Sequence, residues 1–196
     1  VIHKLSCGLA RKTVRDMVAV LKSVAKYGRK HKIFPFEDWE IEYPTETEMN
    51  RLPTLAIEHQ RILMRHLIEK PTAQNIGVLL SLCAGMRIGE VCALQWQDVD
   101  FCQRIITIRH TVGRVYNCEL KSTEKIHSSP KTRNSYREIP ISNLLFQCLK
   151  TVKKASASPF VVGTSEHAKE PRSYRDYFSR LLKRLGIPQI VFHGLR

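Results

Sequence analysis

The chain has 196 residues, of which 32 are Lys or Arg and 18 are Asp or Glu, giving a formal net charge of +14 at pH 7. A hydrophobic fraction of 43% with only nine glycines and nine prolines excludes a disordered or collagen-like chain. The longest largely apolar run, residues 76–86, is too short for a bilayer, which needs about 20 apolar residues. No secretory signal pattern opens the sequence, so we expect a soluble intracellular protein.

The six cysteines are scattered, with no C-x-x-C pair and no histidine at metal-ligand spacing. We therefore expect reduced thiols rather than a structural zinc site. The positive charges fall in blocks: residues 1–34 carry +8, residues 35–100 carry −6, and residues 101–137 and 138–196 carry +6 each. This segregation favours one face for a polyanion, with nucleic acid as the first partner to consider.

The first element in the chain is a predicted amphipathic basic helix over residues 13–32. Its apolar face includes Met17, Leu21 and Val24 at helical spacing. An ordinary helix with a solvated basic face is the alternative interpretation. Prolines and acidic residues then predict an interdomain linker. One helix is too little for a domain, so we expect the chain to open inside one.

The rest of the chain is predicted to be mostly helical with a small antiparallel sheet. The helix predicted over residues 55–69 should turn Ile62, Leu63 and Leu67 inward. The helix predicted over residues 73–84 is apolar on nearly all faces and should be buried. The helices are expected over residues 55–69, 73–84, 88–94, 142–153 and 173–185, and the extended segments over residues 104–117, 136–141 and 159–162.

Arg87 follows a glycine break inside the most hydrophobic region of the chain. An unpaired guanidinium is costly to bury, so Arg87 should pair with a side chain or face an anion. At the start of a short helix it lies beside free backbone N–H groups, which suit a phosphate. Glu90 shares its helix face and is able to hold the guanidinium. A structural Arg87–Glu90 pair without any ligand explains the pattern equally well.

Two further segments carry polar residues that suit a phosphate. Residues 130–135 form a basic tip between two predicted strands, from which Lys131 is able to reach into a groove; a solvated hairpin loop is the alternative. His193 and Arg196 lie three residues apart at the end of the chain, which alone is a weak signal. No P-loop, G-x-G-x-x-G, H-E-x-x-H or G-x-S-x-G motif occurs.

Taken in order, three segments resemble the tyrosine recombinase, or phage integrase, family. The resemblance is strongest to integrases of conjugative transposons and related mobile elements of Gram-positive bacteria, and it covers nearly the whole chain. The segments are G-M-R-I-G-E-V-C-A-L-Q-W-Q-D-V-D, P-K-T-R-N-S-Y-R-E-I-P-I and F-H-G-L-R.

The resemblance implies an α+β fold that is mostly α, with a small three-stranded antiparallel sheet in a helical catalytic domain. This domain would occupy residues 55–196 and be truncated before its nucleophile. Residues 1–34 would be the last part of a helical core-binding domain that clamps DNA, and residues 35–54 the linker between the two.

The implied activity is site-specific recombination, in which DNA is broken and rejoined through a 3′-phosphotyrosyl intermediate to integrate or excise a mobile element. No metal, ATP or other cofactor is implied, because the covalent bond keeps the energy of the phosphodiester. Arg87 and Arg196 would stabilise the charge of the transition state. Lys131 would protonate the leaving 5′-oxygen and His193 would assist proton transfer, while Glu90 would support Arg87.

The implied partners are duplex DNA at attachment sites and further copies of the protein, which act as a tetramer on that DNA. No membrane and no small-molecule substrate are expected, and the expected location is the bacterial cytoplasm, at the nucleoid. The candidate DNA contacts are the basic residues Lys22, Lys26, Arg29, Arg133, Arg172, Arg175, Arg180 and Lys183.

The sequence departs from the family near its end. The family's nucleophilic tyrosine, and a second histidine or tryptophan, follow the His-x-x-Arg motif, whereas all six tyrosines here precede His193. We therefore expect the 196-residue chain to be inactive by itself. Gly194 should also loosen the helix that carries His193. The alternatives are a truncated relative that binds DNA without cleaving it, and a basic protein that acts on RNA or a membrane surface.

Overall fold

Two separately packed units divide the chain in the computed structural model, Val1–Arg51 and Leu52–Arg196. The residues described are 1–35, 37, 39–43, 54–117, 122–128, 136–163 and 167–195, with the backbone alone for 115–117 and 122–128. Lys131, Arg133 and Arg196 lie outside the described residues. The assignment of the first unit to a core-binding domain stays a prediction.

The first unit consists mainly of helix α2, Arg11–Lys30, which a short helix α1, Ile2–Ser6, precedes. The buried residues of α2 are Val14, Ala25 and Gly28. The predicted apolar face, to which Val14 and Ala25 also belong, is therefore buried only in part. Met17, Leu21 and Val24 are 46%, 57% and 59% exposed.

The segment after α2 folds back along this helix. The Phe34 ring lies against the helix near its end. Further along, the ammonium of Lys22 donates to the backbone carbonyl of Trp39, and the guanidinium of Arg15 lies 5.0 Å from the centre of the Tyr43 ring. The predicted linker therefore begins antiparallel to α2, and one of the candidate DNA contacts, Lys22, is engaged with it.

Two of the five helices described in the second unit begin at side chains that cap their first turn. The Ser142 hydroxyl accepts a hydrogen bond from the Leu145 amide at 3.4 Å, and the Glu170 carboxylate accepts one from the Ser173 amide at 2.7 Å, with Pro171 in the first turn. The helices are α3, Ile57–Glu69; α4, Asn75–Ala84; α5, Ile88–Ala93; α6, Asn143–Ala155; and α7, Pro171–Arg184.

The core of the second unit surrounds α4, which is buried along most of its length as its apolar sequence predicts. Leu63 and Leu67 of α3 are also buried, whereas Ile62 is 43% exposed, so its predicted inward position is wrong. Helix α3 needs only a narrow apolar stripe, because it packs at the edge of the core rather than within it. No helix in the described ranges is long and apolar enough to cross a membrane.

A three-stranded antiparallel sheet has the strand order β1–β2–β5, which confirms the predicted fold class. Its register pairs Ile105 with Pro140 at one end of β2 and Ile108 with Arg137 at the other. Arg137 therefore lies opposite Ile108, at the end of the sheet where the chain leaves β2. The three strands are β1, Val99–Asp100; β2, Ile105–Ile108; and β5, Arg137–Pro140.

Between β2 and β5 the chain forms a separate two-stranded antiparallel sheet of β3, Thr111–Asn117, and β4, Ser122–Ser128. Its register runs from Thr111 paired with Ser128 to Asn117 paired with Ser122. Strand β4 was not predicted, because its sequence S-T-E-K-I-H-S lacks the alternation of apolar and polar residues on which such a prediction depends.

Candidate functional site

Buried contacts at the end of α4 hold the loop that presents Arg87 in place. Gly85 ends α4 in the left-handed conformation, with φ of 59°, which favours glycine. The buried Ser81 hydroxyl donates to the backbone carbonyl of Met86 at 3.1 Å, and the Met86 side chain is fully buried. Arg87 follows immediately as the residue that caps α5, so its backbone position is set by α4.

Helix α5 is also fixed from the side, by β3. A Cβ atom on Gly89 would lie 2.5 Å from the Thr111 hydroxyl oxygen and 2.7 Å from the Val112 backbone carbonyl oxygen. Only glycine allows this close approach, which explains its place between Arg87 and Glu90.

Arg87 and Glu90 form the predicted pair. The backbone N–H of Arg87 donates to Oε2 of Glu90 at 2.8 Å, and Nη1 of the Arg87 guanidinium donates to Oε1 at 3.0 Å. The Glu90 side chain is 6% exposed and the Arg87 side chain is 58% exposed. The carboxylate is therefore an internal anchor, and the guanidinium reaches outward from it.

Arg137, which the sequence analysis did not single out, completes this cluster. Its Nη1 donates to Oε1 of Glu90 at 2.9 Å and its Nη2 to Oε2 at 2.7 Å, the bidentate geometry of a strong arginine–carboxylate pair. Arg137 belongs to the P-K-T-R-N-S-Y-R-E-I-P-I segment, which was its only sequence signal. Its partner is 47 positions away, a distance at which no helical spacing indicates contact.

The electrostatics of Glu90 favour its ionised form. Burial opposes ionisation of this carboxyl, but the hydrogen bonds from Arg137 and then from Arg87 outweigh burial and hold the pKa of Glu90 below its ordinary value. The same hydrogen bond from Arg137 to Glu90 raises the pKa of the Arg137 guanidinium. The cluster therefore consists of two cations and one anion.

His193 lies in a short 3-10 helix, Phe192–Leu195. The Phe192 ring packs edge-on against Tyr174 at 5.6 Å and Phe178 at 5.3 Å between ring centres, and Leu195 is buried. His193 itself is exposed. The helix that Gly194 is expected to loosen is thus a single short turn, and its apolar residues hold it in place. Within the described ranges no hydrogen bond joins His193 to Arg87 or Glu90.

The other predicted site residues divide into two groups. Lys131, Arg133 and Arg196 lie outside the described residues. The remaining candidate DNA contacts belong to α2 and α7, and all of them except the half-buried Lys22 are exposed. The exposed cations are Lys26, Arg29, Arg172, Arg175, Arg180 and Lys183.

The arrangement around Arg87 suits an anion with several oxygen atoms. A guanidinium whose orientation is fixed by a buried carboxylate, and whose outer side is exposed, presents its free donors in a rigid fork. Across the described part of the chain, no group of three His, Cys, Asp or Glu residues is placed to hold a metal ion.

The phage integrase family model matches residues 48–196 of this chain. A tyrosine recombinase XerC-like protein of Caldanaerobacter subterraneus subsp. tengcongensis is 28% identical over 137 residues, which cover 60% of this chain. The chain spans only 35% of that relative's length.

Two solved structures share the fold. The Tn1549 transposon integrase in complex with transposon right end DNA gives a TM-score of 0.78 at 18% identity, over 99% of this chain and 67% of that one. A lambda integrase tetramer bound to a Holliday junction gives a TM-score of 0.57 at 15% identity, over 90% of this chain and 48% of that one. Since the family model spans well over half of the sequence and includes the whole Arg87 cluster, the chain belongs to the phage integrase family, the tyrosine recombinases.

Proposed function

We propose that this chain is part of a site-specific recombinase that breaks and rejoins duplex DNA through a 3′-phosphotyrosyl intermediate, to integrate or excise a mobile element. The observation that carries the proposal is the guanidinium of Arg87, anchored on the buried Glu90 carboxylate at 3.0 Å and exposed on its outer side. Family membership supports the same activity.

In the proposed mechanism, the scissile phosphate binds at Arg87. Attack on a phosphodiester gathers negative charge on the two non-bridging oxygens, and a guanidinium is able to donate to both of them. Arg196 supplies a second guanidinium, Lys131 donates a proton to the leaving 5′-oxygen, and His193 assists proton transfer. These side chains need no cofactor, because the phosphotyrosyl bond keeps the energy of the broken phosphodiester. In religation a 5′-hydroxyl attacks that bond and the tyrosine leaves.

The proposed partners are DNA attachment sites and other copies of the protein, assembled as a tetramer on two duplexes. The exposed cations of α2 and α7 are the proposed phosphate contacts that hold the duplex. The proposed location is the bacterial cytoplasm, at the nucleoid.

A form of the protein that continues past Arg196 tests strand cleavage. Incubated with nicked attachment-site DNA, which traps the covalent intermediate, this form should yield a protein–DNA adduct that survives denaturation. Arg87→Ala should abolish the adduct. The matched control is Lys154→Ala, which removes one charge from the exposed face of α6 and should leave the yield of adduct unchanged. A longer form that binds the site and never yields an adduct contradicts the proposal.

A second candidate function is DNA binding without cleavage. The observation that favours it is the set of exposed cations on α2 and α7, which are able to hold a duplex without any chemical step. This candidate predicts salt-dependent binding of duplex DNA and no covalent product under any condition, so the trapping experiment distinguishes the two.

A further inference from the structure

The Glu90 carboxylate is saturated with hydrogen bonds. Oε1 accepts from Nη1 of Arg87 at 3.0 Å and Nη1 of Arg137 at 2.9 Å, and Oε2 accepts from the Arg87 amide at 2.8 Å and Nη2 of Arg137 at 2.7 Å. A carboxylate offers about four acceptor positions, so all of those on Glu90 are in use. The two arginines share one carboxylate, and neither is its sole partner.

The two arginines differ in their exposure and in their bonds to Glu90. Arg137 pairs through two parallel hydrogen bonds and its side chain is 29% exposed, whereas Arg87 uses one guanidinium nitrogen and is 58% exposed. Bidentate pairing is the stronger arrangement, so Arg137 is the main counterion of Glu90. The three side chains together carry one net positive charge, and it lies on the exposed side, at Arg87.

We propose that Arg137 is a positioning residue of the phosphate site: it neutralises Glu90, so that the charge of Arg87 remains for a DNA phosphate. Without Arg137, Arg87 and Glu90 form a neutral pair, and the site loses its attraction for an anion. The bond also ties β5, which follows the Lys131 segment, to α5, which carries Arg87. The inference rests on the proposed function, because a phosphate is the anion concerned.

A purely structural link between β5 and α5 is the competing explanation, and charge distinguishes the two. Arg137→Lys keeps the charge and loses the bidentate geometry. Arg137→Met loses both, and Arg137→Met with Glu90→Gln removes the ion pair while leaving Arg87 as an uncompensated cation. Arg104→Met removes the same charge from the other end of the sheet, where Arg104 contacts Asn143, and is the matched control.

The first measurement is the affinity of the 196-residue chain for a duplex at low salt, with thermal unfolding recorded for every variant. Arg137→Met should weaken binding about five- to tenfold, as the loss of one charge-assisted phosphate contact does. Arg137→Lys, the double variant and the Arg104→Met control should each bind within about threefold of the unmodified chain.

The second measurement needs no DNA. Titration of the Glu90 carboxyl by isotope-edited NMR, with the signal assigned from the Glu90→Gln spectrum, should show its pKa rising in Arg137→Met, because burial then outweighs the remaining hydrogen bonds. Arg104→Met should leave this pKa unchanged.

The outcomes separate the inference from the proposed function. An unmodified chain that binds no duplex overturns both. If the unmodified chain binds, a double variant that stays as weak as Arg137→Met makes Arg137 a structural link and overturns the inference alone. An unchanged Glu90 pKa in Arg137→Met also overturns it, because Arg137 is then not the counterion of Glu90.

Discussion

The hydroxyl oxygen of Tyr174 occupies the place where a side chain on Gly77 would begin: a Cβ there would lie 2.3 Å from it. The same hydroxyl donates a hydrogen bond of 2.6 Å to the backbone carbonyl of Gln74. Because Tyr174 is fully buried and packs edge-on against Phe192, this contact between α4 and α7 also supports the turn that carries His193.

Gly77→Ala should destabilise the chain by about 1–3 kcal/mol in urea unfolding, despite the higher helix propensity of alanine. The added methyl group would also lie 2.7 Å and 2.8 Å from the side chains of Val91 and Val162, which are fully buried and cannot move aside. In a Tyr174→Phe background the same substitution should cost less, since one of the three clashes is gone. An alanine variant as stable as the unmodified chain would contradict this packing.

Gly89→Ala should destabilise the chain by about 1–3 kcal/mol and weaken DNA binding, because it pushes α5, with Arg87, away from β3. The backbone carbonyl of Val112, 2.7 Å from the added Cβ, has no freedom to rotate away. Gly113→Ala is the matched control: a Cβ there meets nothing within 4 Å. Unfolding midpoints and DNA affinities of the two variants check the prediction, and equal values for both would refute it.

The fold class and the Arg87–Glu90 pair could be predicted from the sequence because both depend on local spacing. Apolar residues on all faces marked α4, and three residues of separation placed Glu90 beside Arg87. Arg137 could not be found in this way, since its role follows from the pairing of β2 with β5 and the packing of α5.

The errors have a similar cause. Ile62 fits the apolar periodicity of α3 and is nevertheless 43% exposed, because periodicity cannot tell how far the core extends around a helix. Strand β4 was missed because its backbone pairs with β3 while its polar sequence carries no alternation.

The stability of the chain in acid should depend on Glu90. Its pKa in the folded chain lies below the ordinary value of 4.5, so its stabilising contribution is complete above that pH and is lost as the pH falls through the lower, folded value. Glu90→Gln should therefore lower stability at neutral pH by about 1–3 kcal/mol and flatten the loss of stability below pH 4.5.

Unfolding midpoints between neutral and acidic pH measure this effect. Glu170, whose pKa is also lowered by hydrogen bonds at the start of α7, is the matched control. Glu170→Gln should flatten the acid dependence in the same direction while leaving the Arg87 cluster intact. An acid profile that Glu90→Gln leaves unchanged would refute the assigned role of the carboxylate.

The exposed cations of α7 should contribute to DNA binding. Replacing Arg175 and Arg180 by alanine should reduce the slope of log K against log salt by about 0.9 for each lost phosphate contact. Lys150→Ala with Lys154→Ala on α6 removes the same charge and is the control. Slopes that fall equally for both pairs would indicate a general effect of net charge rather than a DNA face on α7.

The most direct test of the account is the salt dependence of duplex binding for the unmodified chain and for Arg87→Ala. Between about 50 and 200 mM salt, log K should fall linearly with log salt, and Arg87→Ala should bind more weakly with a slope smaller by about one contact. Binding that is insensitive to salt, or an Arg87→Ala variant with unchanged affinity and slope, would contradict the assignment of Arg87 as the residue that holds a DNA phosphate.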